Sequence, residues 1–117
     1  NELLITHTDD IGLYLCASDL YVSTSATESF GMANLEAAIA GLPMICTRVG
    51  AIPEIMGACA LLINPDKEAL KKAIKSVLSS PDTMKKMARN SRILANNWPS
   101  ANDVALCYEK IFLTKPT

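Results

Sequence analysis

The chain has 117 residues, half of them hydrophobic and a fifth charged, with a formal net charge of −1, and at roughly 100–200 residues per domain it makes one folding unit at most. So much apolar surface excludes a disordered, charge-rich segment, and a near-neutral total with a pI near 5.8 leaves no electrostatic footprint for nucleic acid. No apolar stretch approaches the ~20 residues of a membrane-spanning helix, and the first residues lack the basic segment and apolar core of a secretory signal, which points to a cytoplasmic chain.

Leu3-Leu4-Ile5 reads as a first strand. Ile11 to Ala17 is a candidate helix with Asp9 or Asp10 as its N-cap, because a carboxylate there accepts from unpaired amides of the first turn. Leu20-Tyr21-Val22 predicts a second strand, Met32 to Ala40 a second helix, and Gly41 stands where helices commonly end. Met44-Ile45-Cys46 and Ala60-Leu61-Leu62-Ile63 are continuous apolar runs, the pattern of parallel strands covered on both faces. Beyond Asp66 the pattern turns helical. Leu70, Ala73, Ile74, Val77 and Leu78 line one helix face. Ser80-Pro81 opens another helix, with a serine cap and proline at the first position. Ser100 and Asp103 form a capping box before a third, which carries Val104, Cys107, Tyr108 and Ile111. These three helices are expected to close an α/β domain, a Rossmann-like parallel sheet flanked by helices. So few strands leave that sheet incomplete, as in a piece of a larger protein.

Charge divides along the chain. Residues 1–66 hold eight acids and one base, Arg48, for −7, while residues 67–117 hold ten bases and four acids, for +6. Lys71, Lys72, Lys75, Lys85, Lys86, Arg89 and Arg92 crowd two neighbouring helices. They suit solvated faces, and peripheral contact with an anionic inner membrane face stays open. Cys16, Cys46, Cys59 and Cys107 include no C-x-x-C pair and share the chain with a single histidine, His7, which argues against zinc. Each has apolar neighbours, so buried, reduced thiols are expected. His7 has no nucleophile at a recognisable spacing and suits a loop or strand edge.

The segment that carries chemistry runs from Thr24 to Ala38. It leads from a strand's carboxyl end through a loop into a helix, the place where open α/β sheets bind ligands. The helix start offers unpaired N–H groups and partial positive charge to an anion such as phosphate, and Gly31 lets a ligand approach the backbone. Glu28 and Glu36 bracket the turn. As charged acceptors they suit sugar hydroxyls, at about 1.5–3 kcal/mol per hydrogen bond, one for a sugar and one for a ribose. They equally suit a helix-start acid stabilised by the dipole and a solvated helix residue, and spacing alone leaves both open.

Glu28-Ser29-Phe30-Gly31, Leu35-Glu36-Ala37 and Gly41-Leu42-Pro43 closely resemble the E-x7-E signature of retaining GT-B glycosyltransferases, in the large family four. Ala17 to Val22, Gly50 to Ile55, Asn64-Pro65-Asp66 and Trp98 extend the resemblance over nearly the whole chain. It implies an incomplete C-terminal half of a GT-B fold, with residues 1–117 as a partial nucleotide-sugar donor domain and the N-terminal acceptor domain absent. Glu28, Phe30 and Gly31 would meet the donor sugar, backbone amides at Met32 and Ala33 the diphosphate, and Glu36 the ribose. No metal or other cofactor is expected. No residue of the isolated chain is expected to be catalytic: neither glutamate need transfer a proton, and stabilising the departing diphosphate is the main task.

The arginine and lysine that neutralise the diphosphate in such enzymes would precede Asn1, so the chain alone is expected to bind donor weakly and to transfer nothing. Gly50-Ala51 stands where many relatives carry two glycines; the extra methyl suits an ordinary turn better than a narrowed sugar pocket. The alternative is a non-catalytic module that binds a nucleotide or sugar. A receiver-like signalling domain is disfavoured, since the acidic cluster and strand-end aspartate it needs are missing.

Overall fold

A computed structural model describes residues 2–114. The elements run α1 (Ile11–Cys16), β1 (Tyr21–Ser23), α2 (Met32–Ile39), β2 (Met44–Thr47), α3 (Ile52–Met56), β3 (Ala60–Ile63), α4 (Lys67–Leu78), α5 (Pro81–Asn97) and α6 (Ala101–Leu113). The strands form one parallel sheet in the order β1-β2-β3. Tyr21 pairs with Met44 and Met44 with Ala60. Right-handed crossovers are the rule for such strand–helix–strand units, and here helices cover the sheet on both faces.

β2 shows why its run of apolar residues does not alternate with polar ones. All four of its residues are buried. Met44 and Cys46 point into one core with Leu35, Ala38, Ile52 and Met56, while Ile45 points into the other with Ile63, Ala73, Val77 and Met87. Successive side chains on a strand face opposite ways, so a central strand between two helical layers must be apolar throughout.

The helix ends follow their local chemistry. Asp10 accepts from the Leu13 N–H, Asp66 from Glu68 and Ala69, and Ser80 from Thr83. Ser100 and Asp103 complete the reciprocal capping box. After α2 the chain closes a Schellman turn: Leu42 N–H donates to the Ala37 carbonyl at 3.1 Å and Gly41 N–H to Ala38 at 2.9 Å, with Gly41 at φ +77°, a conformation glycine adopts without strain.

Three expectations need correction. Leu3-Leu4-Ile5 forms no strand; it is 72–87% exposed, since no described strand lies alongside to satisfy its backbone. α6 forms where its capping box starts it, but none of its residues is buried, so it does not help close the domain. The radius of gyration is consequently 16.7 Å, against about 13 Å for a compact chain of this length. Cys46 and Cys59 are buried, but Cys16 and Cys107 are exposed, Cys16 because it lies on the outward face of α1 and Cys107 because α6 buries no residue at all. The cations of α5 are divided as well. Lys85 and Arg92 flank a cavity beside Gly41 and Leu42, whereas Lys86 lines one with Ser76 of α4. No helix among the described residues is long and apolar enough to cross a membrane.

Candidate functional site: the loop between β1 and α2

The loop of residues 24–31 leaves the carboxyl end of β1 and delivers the chain to α2. It is pinned from below by the buried Thr47 at the end of β2, whose hydroxyl donates to the Ser25 carbonyl at 2.6 Å. Gly31 then caps α2 at φ +85°, and no side chain caps the helix start. The amides of Phe30, Gly31, Met32 and Ala33 have no hydrogen-bond acceptor among the described residues. Asn34 and Leu35 N–H groups, by contrast, donate back to the Gly31 carbonyl at 3.0 and 3.1 Å. Four successive donors at a helix start thus remain free for an anion.

Glu28 is half-buried at the head of this row. One of its carboxylate oxygens, Oε1, accepts from the Ser29 N–H at 3.0 Å, which leaves Oε2 for another donor. Glu36 lies four residues past Met32, about 6 Å along the helix axis, and is exposed. It faces α1 across a cavity of about 350 Å³ lined also by Ile11, Leu15, Ile39 and Ala40. Both carboxylates act on Tyr21 of β1. Burial is the main reason its phenol is raised above the usual range, followed by Cys46, with Glu28 and Glu36 adding to it and the Ser23 side chain opposing. The two glutamates therefore both lie within electrostatic reach of Tyr21, one before and one after the unpaired amides in the chain.

Phe30 is 39% and Met32 59% exposed. Phe30 packs edge-on against Trp98 at the end of α5, with ring centroids 5.8 Å apart. A ring anchored on one edge and exposed on the other gives the loop a fixed apolar wall. Of the cations, Lys67 at the start of α4 lines a cavity of about 240 Å³ with Thr24 and Ala26 of this loop. Arg48, the single base of residues 1–66, follows β2 and is exposed, and its N–H donates to Ile63.

Three features of the site are not visible in residue spacing. Trp98 reaches Phe30 only because α5 runs back toward the loop. Asn34 is buried behind the helix start, and its Oδ1 has no partner among the described residues. Gly50 lies against the backbone of Glu28. A glycine before a helix was the one available signal for the last.

Residues 3–93 match the family described as Glycosyl transferases group 1. The chain belongs to that family. Among its relatives, a mannosyltransferase of Mycolicibacterium hassiacum that makes an α-(1→4) linkage is 28% identical over 87% of this chain and 27% of its own length. The glycogen synthase of Mycobacterium tuberculosis is 35% identical over 75% of the chain and 22% of its own. The chain thus spans about a quarter of each of these relatives. Sucrose-phosphate synthase from Thermosynechococcus elongatus superposes with a TM-score of 0.75 at 26% identity, over 86% of this chain and 26% of that one. An Anabaena protein solved with UDP gives 0.78 at 24% identity, over 90% and 30%, a likeness of fold. The parallel sheet with its helical layers is accordingly part of a GT-B glycosyltransferase fold.

Proposed function

We propose that the protein carrying this chain is a retaining glycosyltransferase of family four that moves a hexose from a nucleotide-diphosphate donor to a glycan, lipid or small-molecule acceptor, and that residues 1–117 present the donor side of its site. The observation that carries this is the row of four open amides from Phe30 to Ala33 between two carboxylates. Unpaired amides at a helix start suit a diphosphate and would stabilise the charge that develops as the sugar leaves. Glu28 then takes the sugar hydroxyls on Oε2, with Phe30 and Gly31 beside the sugar. Met32 and Ala33 amides hold the diphosphate, and Glu36, at the cavity facing α1, takes the ribose hydroxyls. No metal is assigned to the site.

The acceptor domain and the cations that neutralise the diphosphate belong to chain outside these residues. With −7 over residues 1–66, the segment meets a diphosphate with mostly like charge, so the isolated chain binds donor weakly and does not transfer sugar. The test uses the full-length protein and two variants. Glu36→Ala is expected to weaken the free nucleoside diphosphate and the sugar nucleotide alike, by about 10- to 150-fold for one charged hydrogen bond. Glu28→Ala is expected to weaken only the sugar nucleotide. Unchanged nucleotide affinity in the Glu36 variant contradicts the assignment.

A further inference from the structure

A second loop lies under the first, and the contact between them is backbone on backbone. Gly50, between β2 and α3, adopts φ +54°. A Cβ added there would run into the carbonyl oxygen of Glu28 and come within 2.8 Å of its carbonyl carbon. A flexible side chain could swing away from such a collision, but a carbonyl cannot move without its loop. The Ala51 N–H next to it donates to the Ser29 carbonyl at 3.3 Å. The contact is reciprocal on the far side. Ile52, the first residue of α3, is 1% exposed, and its Cδ1 fills the space a Cβ on Gly31 would need. Gly50 sits beneath Glu28 and Ile52 beneath Gly31, so the loops of residues 28–31 and 49–52 interlock at two separate points.

This interlock bears on one atom in particular. With Oε1 of Glu28 held by the adjacent Ser29 N–H, the place of the free Oε2 is fixed by the backbone of residues 28 and 29, and that backbone rests on Gly50. We propose that Gly50 is a positioning residue for Glu28, holding its carboxylate at the height where it accepts from the donor sugar. The proposal rests on the assignment of Glu28 to the sugar made above. A methyl at position 50 lifts the Glu28 carbonyl, and since hydrogen bonds tolerate only a few tenths of an ångström, the sugar contact is lost while the helix start, held separately by Ile52, stays in place.

The test is Gly50→Ala in the full-length protein, with UDP-glucose and GDP-mannose as probes and UDP and GDP as their sugar-free counterparts. Affinity for the sugar nucleotide is expected to fall by roughly tenfold or more, and that for the free nucleotide by less than about threefold. Hydrogen exchange of the Ala51 amide, which donates to the Ser29 carbonyl across the two loops, is expected to quicken. In a Glu28→Ala background the same change adds no further loss, because both act through one group. Additive losses in the double variant, or unchanged exchange at Ala51, overturn the proposal. Should Gly50→Ala fail to fold, Ile52→Val, which removes only the methyl against Gly31, is expected to quicken exchange of the same amide, and no change there overturns it equally. If Gly50→Ala quickens exchange at Ala51 but Glu28→Ala leaves sugar-nucleotide binding intact, the interlock stands and the sugar assignment falls.

Discussion

Cys46 lies at the centre of β2 with no exposed surface, and its thiol is pushed up to about 12, by burial first and by the neighbouring Cys59 second. Burial raises Cys59 too. A folded-state pKa above the unfolded one stabilises in full below the unfolded value, near 8.5, and that stability is lost as pH rises toward the folded value. The Cys46 thiol shifts the unfolding equilibrium by about tenfold per pH unit in that window. Urea midpoints measured between pH 8 and pH 10 should therefore fall steeply, and Cys46→Ala should flatten the slope; an equal slope in the variant rules the thiol out as its source. The apolar neighbours of Cys46 made its burial legible in the sequence. The same criterion failed at Cys16 and Cys107, because apolar neighbours along a helix say neither which face a side chain occupies nor whether the helix docks at all.

α5 joins the site to the rest of the domain. Its buried Ser91 donates to the Leu42 carbonyl at 2.7 Å, which fixes the turn after α2. Asn90 donates to the Ala58 carbonyl at 2.7 Å, which fixes the end of α3, and Trp98 braces Phe30. Ser91→Ala leaves the Leu42 carbonyl unpaired in the core, and the expected loss is roughly 1–3 kcal/mol of unfolding free energy, read by urea denaturation. A change within error would mean that the turn stands without it. The caps that start α1, α5 and α6 were legible because capping depends on residues a few positions apart. The bonds that seat α5 were not, since Ser91 and Leu42 are 49 positions apart and a mid-helix serine carries no local sign of its partner.

Taken whole, the molecule is a two-faced α/β body from which α6 projects. Tyr108, Ile111, Phe112 and Leu113 of α6 are 58–79% exposed, and Tyr108 stacks only on Phe112, one turn away. Periodicity identified the helix, but helix formation is local and docking is not, so the expected closure of the domain by three helices stopped at two. The parallel sheet, its central buried strand and the loop bearing Glu28 were all legible, because each follows from short apolar runs and a strand-to-helix turn. The interlock of Gly50 with Glu28 was not, because it joins loops 22 residues apart through backbone alone.

The central claim is that the start of α2 cradles the diphosphate of a sugar nucleotide between Glu28 and Glu36. Its most direct test is an amide NMR titration of the full-length protein with UDP-glucose and GDP-mannose. The account predicts that the binding ligand shifts the amides of Phe30, Gly31, Met32 and Ala33 most strongly, together with that of Glu36. Saturable binding that leaves those five amides unmoved would contradict it.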